Sequence, residues 1–494
     1  MNVRKSLVLS FADRYSRMLL QLITTMVLSR LLTPHDIGVA TIAMAVVAIT
    51  HVVRDFGVGN YLLQERELTE ARLRTTFGII LVTSWSMGCA LVAAGPAVAR
   101  IYAEPGIESV MLILALNFAV IPFGSLALII LRRDGHFGAL YRISLANGIA
   151  SAVVGLLLAW HGWRYLSLAW ASVAGNLATV LMAYLSMPNH IRLTPSFSEW
   201  RRITKFGVLT VAANLIGQIG ARASDLAVGR IIGITETGLY SKAGSIGSMF
   251  NDNVLTAILG VAVPKFAADH RSDNELRTNF LRYMALITVF AWPFFAFAGI
   301  TMPYTVAFLF GDQWAAAVPI GRILCIGNLV GMLGVLNWAI IIATGAVREN
   351  LSMQIRVQGV NVGLILIGCL GGLNGVAVAA DVITLIGVII SYSYMSRLIR
   401  VSLLDVLRAT RSSLAVALVS AIPPSVIYLA IGDHHNHTFV ILCLSGSAMC
   451  IAWLIAVFAL KHPVKTELMA AAEVAWQRFS IWRSSPRWTT SRRG

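Results

Sequence analysis

Ionisable residues are scarce in this chain. Asp, Glu, Lys and Arg make up 13% of the 494 residues, against 57% hydrophobic, which is more apolar surface than one water-soluble core can bury. This excludes a soluble enzyme and leaves a polytopic membrane protein. Acids are the scarcer sign, 23 against 39 basic residues. The chain has no Gly-rich phosphate loop ending in Lys-Ser or Lys-Thr, no His-Glu-x-x-His, no Gly-x-Ser-x-Gly and no paired Cys-x-x-Cys. These absences argue against ATP hydrolysis and against the common metallohydrolase and serine-hydrolase chemistries, and no enzyme activity is expected. Cysteine is sparse too: Cys89, Cys325, Cys369, Cys443 and Cys450 stand singly in apolar stretches and are expected as small buried hydrophobes. No continuous apolar signal-peptide core is present, because Asp13, Arg14 and Arg17 interrupt it, so the first helix is expected to stay. His434, His435 and His437 share a short loop with Asp433 and no cysteine ligand, which reads as solvated. No metal and no cofactor is expected.

What is present is a succession of apolar runs. A hydrocarbon layer roughly 30 Å thick needs about 17 to 25 apolar residues per crossing. Such runs fall near 6–32, 37–55, 76–98, 107–131, 143–161, 165–186, 206–232, 238–263, 283–302, 315–344, 351–370, 373–395, 412–431 and 438–460, and they predict fourteen transmembrane helices in an all-α protein. Arginine fills alternate connections: Arg66, Arg72 and Arg74 after the second span, Arg132 and Arg133 after the fourth, Arg201 and Arg202 after the sixth. Retention of short basic loops on the cytoplasmic side therefore puts both termini in the cytoplasm. The net charge of +16 follows mainly from this bias, and no nucleic-acid partner is expected. After Leu460 the chain turns basic with interspersed Trp476, Trp482 and Trp488, either an interfacial segment or a disordered tail.

One motif occurs twice, 200 positions apart. Ser29-Arg30-Leu31-Leu32-Thr33-Pro34-His35-Asp36-Ile37-Gly38 matches Gly229-Arg230-Ile231-Ile232-Gly233-Ile234-Thr235-Glu236-Thr237-Gly238, with Arg, two aliphatics, an acid and Gly in the same slots. Ala99-Arg100-Ile101-Tyr102-Ala103-Glu104 and Ala307-Phe308-Leu309-Phe310-Gly311-Asp312 form a weaker second pair. The first span thus matches the seventh. Two six-helix repeats of the same orientation follow, related by an axis along the membrane normal, as in many transporters. The expected divisions are a first lobe over 1–200, a second over 201–400, two further helices over 401–460 and a basic cytoplasmic tail over 461–494.

Several polar residues lie inside the apolar spans. Each Arg at mid-bilayer costs about 2.5–3.5 kcal/mol on insertion scales, so Arg14, Arg17, Arg54 and Arg222 are expected to face a hydrated interior. Asp13, Arg17, Gln21, Thr24 and Thr25 follow one face of the first helix, while Asn214, Gln218, Arg222 and Asp225 follow one face of the seventh. Arg17 stands about 16 Å into its helix at 1.5 Å per residue, near mid-membrane. A structural pairing with Asp13 at i, i+4 is its alternative role. Arg14 can snorkel to the interface, Arg222 can neutralise Asp225, and Lys242 can snorkel at the far end. Guanidinium groups bind phosphate oxygens in a bidentate, charge-assisted way, so a basic interior selects an anionic substrate. Asn117, Asn147, Asn328, Asn337, Gln354, Gln358 and Asn361 suit sugar hydroxyls or, equally, hydrogen bonds between helices. Asp13, Asp225 and Asp381 are ion-coupling candidates or structural partners.

Ser29 through Gly38, followed by Asp55-Phe56-Gly57-Val58-Gly59 and Leu63-Gln64, resembles the opening of Wzx-type oligosaccharide flippases in the polysaccharide-transport branch of the MOP superfamily. Leu131-Arg132-Arg133-Asp134 and Phe310-Gly311-Asp312-Gln313-Trp314 are similar to that branch as well. The resemblance implies a fourteen-helix, two-lobed, V-shaped transporter in a bacterial inner membrane. It would move undecaprenyl-diphosphate-linked oligosaccharides, the repeat units of an exopolysaccharide, O-antigen or capsule, from the cytoplasmic to the periplasmic leaflet by alternating access. It implies contact between the diphosphate and cations of the first, second, seventh and eighth helices, here Arg14 or Arg17, Arg54, Arg222 and Lys242. The expected partners are the lipid-linked substrate, membrane lipids, and a polymerase and other glycan-assembly proteins. A cation or drug antiporter of the MATE branch shares the architecture but needs an acidic cavity. An integral-membrane glycan polymerase or ligase needs a large catalytic external loop.

Overall fold

The computed structural model describes residues 3–55, 69–186, 194–196, 200–271, 276–432, 437–470, 473 and 476, and side chains are described from Tyr15 onward, except at 55, 200–210, 213, 253, 257 and 347. Asp13 and Arg14 lie on a described helix with their side chains outside the described set. Phe56 to Gly59, Leu63, Gln64, His434, His435 and most of the basic tail after residue 470 lie outside the described residues.

The described chain is all-α. The first expected repeat spans α1 (Val3–Leu31), α2 (Pro34–Asp55), α3 (Glu70–Tyr102), α4 (Pro105–Val120), α5 (Pro122–Arg133), α6 (Phe137–Trp160) and α7 (Leu166–Leu185). The second holds α8 (Trp200–Ile231), α9 (Ile234–Phe250), α10 (Thr256–Arg271), α11 (Leu276–Ile300), α12 (Met302–Leu309), α13 (Val318–Gly331), α14 (Asn337–Thr344), α15 (Val347–Cys369) and α16 (Gly372–Leu398). Then come α17 (Leu403–Ile431) and α18 (Thr438–Ala459). Each expected span falls on helix, but three are interrupted. The fourth bends by 54° between α4 and α5, where Pro122 has no N–H to continue the ladder and its ring displaces the preceding carbonyl. The eighth opens into a π turn at Asn251–Leu255, and the tenth begins as a 3₁₀ turn at Asp312–Ala317 and breaks again at Met332–Gly334. Ten helices among the described residues are long and apolar enough to cross a membrane, and the bent pair makes eleven. α1, α8 and the α9–α10 run, which hold the polar stripes, are not among them.

Burial follows the repeats. One apolar core gathers Val39, Ile42, Ile107, Leu114, Phe118 and Ala169 of the first repeat. A larger one joins Phe266, Phe280, Phe295, Trp314 and Val376 of the second, reaching across to Leu28, Leu32 and Ile37. α17 packs on α11, and α18 on α17, through a smaller cluster of Val289, Val416 and Val457. Outer faces stay apolar, with Leu370 86%, Leu429 81% and Trp160 77% exposed, the pattern lipid contact requires. The five cysteines are unpaired; Cys325 and Cys369 are buried, but Cys89, Cys443 and Cys450 lie on this outer surface. The expectation that all five are buried is corrected there, because in lipid an apolar position need not be an interior one.

The two copies of the repeated motif meet each other. At Gly38 a Cβ would stand 1.9 Å from the Ile234 carbonyl oxygen, and at Gly238 it would stand 1.9 Å from that of Pro34. Only glycine permits this reciprocal backbone approach. Thr41 Oγ1 donates to Ser241 Oγ at 3.3 Å between repeat-equivalent positions. The weaker pair also matches, since Ala103 (φ 53°) and Gly311 (φ 97°) both turn through the left-handed region.

Candidate functional site

The contact between repeats is a gate, and its two halves differ. On one side Lys242 Nζ donates to Ser29 Oγ at 2.6 Å, with the ammonium 4.9 Å from the Phe310 ring centre and 5.5 Å from that of Trp314. On the other side the repeat-equivalent residues are Ile42 and Gly229, where a glycine Cβ would lie 2.6 Å from Ile42 Cδ1. One half-gate is cationic and hydrogen-bonded; the other is apolar. The second repeat also caps the end of α1: Gln313 Nε2 donates to Ser29 O and Leu32 O, and Trp314 Nε1 donates to Ser29 O at 2.8 Å. These donors meet the carbonyls left without partners at a helix C-terminus, where a cation is also favoured. Arg30 Nη2 donates to Phe308 O at 3.0 Å, and Tyr102 OH donates to Leu226 O at 3.0 Å. These hydrogen bonds between the repeats all fall at this end.

The entry to α2 is built to hold that position. Thr33 and Asp36 exchange capping hydrogen bonds, Thr33 Oγ1 donating to Asp36 Oδ2 at 2.7 Å and the Asp36 N–H to Thr33 Oγ1 at 3.2 Å. Arg164 Nε reaches the buried Asp36 at 2.9 Å, tying the α6–α7 turn to the start of α2.

On the opposite side of the gate lies a cavity of about 620 Å³ between α1, α5, α6 and α7. Its α1 wall carries Arg17, Gln21, Thr24, Thr25 and Leu28, spaced three or four apart on one helix face. The other walls add Arg132, Tyr141, Ser144, Asn147, Ser151 and Thr179. Asn147 Nδ2 donates to Thr179 Oγ1 at 2.9 Å, so the amide is oriented with its acceptor free for a ligand. Among the described residues, two guanidiniums and no carboxylate line the cavity. Its deep end at Leu28 adjoins Ser29, the residue held by Lys242 and Trp314.

The equivalent position in the second repeat is closed, and the sequence explains why. Arg17 and Leu20 of α1 correspond to Gly217 and Gly220 of α8, and without side chains there α15 packs directly against α8. A Cβ at Gly220 would fall 1.8 Å from Gln358 Oε1; Asn361 Nδ2 donates to Gly220 O at 2.8 Å and to Gln358 Oε1 at 2.7 Å. Gln354, Gln358 and Asn361 are spent on hydrogen bonds between or along helices, as are Asn117 (to Ser172 at 3.1 Å) and Asn337 (to Ser391 at 2.7 Å). Asn328 Nδ2 bonds its own helix at Leu324 O, 2.8 Å away. Of the amides read as sugar ligands, only Asn147 lines the cavity.

The five candidate cations do not converge. Arg17 lines the cavity with Gln21. Arg54 lies 6.0 Å over the Phe118 ring, on which His51 stacks at 4.6 Å. Arg222 pairs with Asp225 at 3.4 Å on half-buried α8, beside an exposed Asn214 and a half-buried Gln218. Lys242 is in the gate, and the side chain of Arg14 is outside the described set. Arg132 was not singled out from the sequence: the positive-inside bias already accounted for it, and only the bend at Pro122 brings it to the cavity. Among the described residues no group of three or more His, Cys, Asp or Glu side chains could hold a metal.

This is the fold of a MOP-type transporter. It superposes on the solved lipid II flippase MurJ, captured in an inward closed conformation, with a TM-score of 0.71 at 13% identity, over 92% of this chain and 99% of that one. Residues 27–319 match the model of the polysaccharide biosynthesis protein family, and the chain belongs to that family. Lipopolysaccharide biosynthesis protein WzxC of Escherichia coli K12 is 22% identical over 76% of this chain and 77% of its own length. Teichuronic acid biosynthesis protein TuaB of Bacillus subtilis 168 is 23% identical over 60% of this chain, which spans 61% of that relative. The chain is accordingly a multi-helix membrane member of the polysaccharide biosynthesis protein family, with the fold seen in solved membrane transporters.

Proposed function

We propose that the chain takes undecaprenyl-diphosphate-linked oligosaccharides at the cytoplasmic face of a bacterial inner membrane and releases them at the periplasmic face by alternating access. The observation that carries the proposal is the polar cavity with Arg17 and Arg132 among its described lining residues. A diphosphate crossing the bilayer needs a counter-charge that stays protonated when partly desolvated, and a guanidinium supplies it. The surrounding hydroxyls and the Asn147 amide match sugar hydroxyls. The gate is shut at the motif end while the cavity lies on the arginine-rich side, which fits an inward-facing resting state with both termini cytoplasmic. Lobes over 1–200 and 201–400, with 401–460 appended and 461–494 as a tail, suit that motion. The glycan would then be passed to a polymerase and other assembly proteins.

A MATE-like antiporter of cations would need acidic groups in the cavity, and none of its described lining residues is acidic. A glycan polymerase or ligase would need a catalytic external loop. The deciding test is Arg17→Ala in a strain whose glycan export depends on this protein. Export should stop at normal protein level, with lipid-linked units accumulating on the cytoplasmic side. Arg17→Lys should restore part of it, since the charge remains and the bidentate fork is lost. Normal export by Arg17→Ala would overturn the proposal, as would recovery when Asp13→Asn is added, which would make Arg17 a structural partner only.

A further inference from the structure

We propose that Arg132 is a second diphosphate-holding cation, and that the diphosphate is gripped by the N-terminal repeat alone. The inference rests on the carrier role just proposed and adds to it a residue and a place. Arg132 ends α5, the half-helix that the 54° bend at Pro122 turns away from the line of α4. It reaches the same cavity as Arg17 but from another wall, at the arginine-rich mouth beside Phe137 and Tyr141. Leu20 packs at Gly148, so Arg17, one turn earlier on α1, lies level with Ser144, one turn earlier on α6. Arg132 therefore stands at the entrance and Arg17 further in. None of the ion pairs found among the described residues involves Arg132, and no carboxylate is among the described residues that line the cavity.

A phosphate anhydride presents two linked anionic groups, and each guanidinium can take one in a bidentate, charge-assisted contact. Two cations on separate helices thus select a diphosphate over a monophosphate. Lining residues run only from Arg17 to Thr179, and the corresponding face of α8 is filled by Gln354, Gln358 and Asn361. No atom of the grip has to cross the gate. The headgroup then rides with one lobe while the other moves past it, so binding and gating are separable.

The test uses the full chain in lipid nanodiscs, with farnesyl diphosphate, farnesyl monophosphate and inorganic pyrophosphate as probes. The wild type should prefer the prenyl diphosphate. Arg132→Ala should weaken that binding about tenfold or more, the loss expected for a hydrogen-bonded charge pair, while leaving the monophosphate nearly unchanged; Arg132→Lys should recover part. If Arg132→Ala does not purify, Arg132→Gln keeps most of the stem without the charge and carries the same expectation. Arg222→Ala should bind as the wild type does. A Thr41→Cys, Ser241→Cys disulfide across the gate should leave diphosphate affinity intact. Unchanged affinity in Arg132→Ala would overturn the assignment of Arg132, with the carrier role untouched. Loss of binding on locking would overturn the single-lobe grip. Inorganic pyrophosphate bound as tightly as the prenyl diphosphate would assign the site to a free anion instead of a lipid. A wild type that binds no prenyl diphosphate would overturn this inference, and a further failure to bind the sugar-bearing lipid would remove the carrier role itself.

Discussion

At the scale of single residues, the most sensitive positions are the glycines of the gate. A methyl at Gly38 would stand 1.9 Å from a backbone oxygen, and a helix N-terminus cannot yield that distance as a flexible side chain could. Gly38→Ala should therefore keep the gate from closing while the repeats themselves still fold. A cysteine placed at Ser241, which touches Thr41 in the closed state, should react faster with an impermeant thiol reagent in that background. Reaction at the parent rate would show that the contact does not hold the gate shut. Gly38 and Gly238 were legible in the sequence as repeat-equivalent positions, because a motif kept at a spacing of 200 betrays the duplication. That they press on each other was not legible, since nothing in either copy names its partner. From the sequence Lys242 is either an interfacial cation or, by the resemblance, a diphosphate contact; its contact with Ser29 and two aromatic rings depends on residues far apart in sequence.

At the scale of elements, the appended helices are fastened by a buried histidine. Beyond the end of α18, His462 pairs through Nε2 with Ser413 Oγ of α17 at 3.0 Å, and its Nδ1 accepts the Val464 N–H at 3.1 Å. Ser413 Oγ in turn donates to Ala285 O of α11 at 3.1 Å. With Nδ1 accepting, the ring is neutral, and burial holds its pKa below the ordinary value of 6.5. The unfolded chain therefore takes up a proton that the folded one refuses once pH falls through about 6.5, and stability should fall across that window. Above it both states are neutral and the histidine adds no slope. His462→Gln should flatten the melting temperature between about pH 7.5 and pH 5.5 relative to the wild type; an unaltered slope would show that another group titrates. Helix existence was legible here from apolar runs alone. Helix continuity was less so: the expected span over 107–131 contains Pro122, a marker that hydropathy averages away, and the bend it causes is what carries Arg132 to the cavity.

At the scale of the whole molecule, the sequence disclosed two repeats and polar stripes on both α1 and α8, which suggested two matching cavity walls. The structure gives an open cavity to one repeat and fills the other, because Gly217 and Gly220 admit α15 where Arg17 and Leu20 hold space. Stripe arithmetic alone shows which face is polar, not what packs against it. Transport should nevertheless need both lobes to move. A Thr41→Cys, Ser241→Cys pair, whose native hydroxyls lie 3.3 Å apart, should stop export when oxidised and release it under reductant, and export through a fully cross-linked protein would exclude opening at this end. The reciprocal glycine contact has one more consequence. A surface that fits its own copy is how two identical subunits pair about a two-fold axis, and here both subunits are parts of one polypeptide. A Cβ at Gly238 would stand 3.1 Å from the Gly38 nitrogen, so the two halves of this pseudo-symmetric contact adjoin, as the two halves of an isologous dimer interface do.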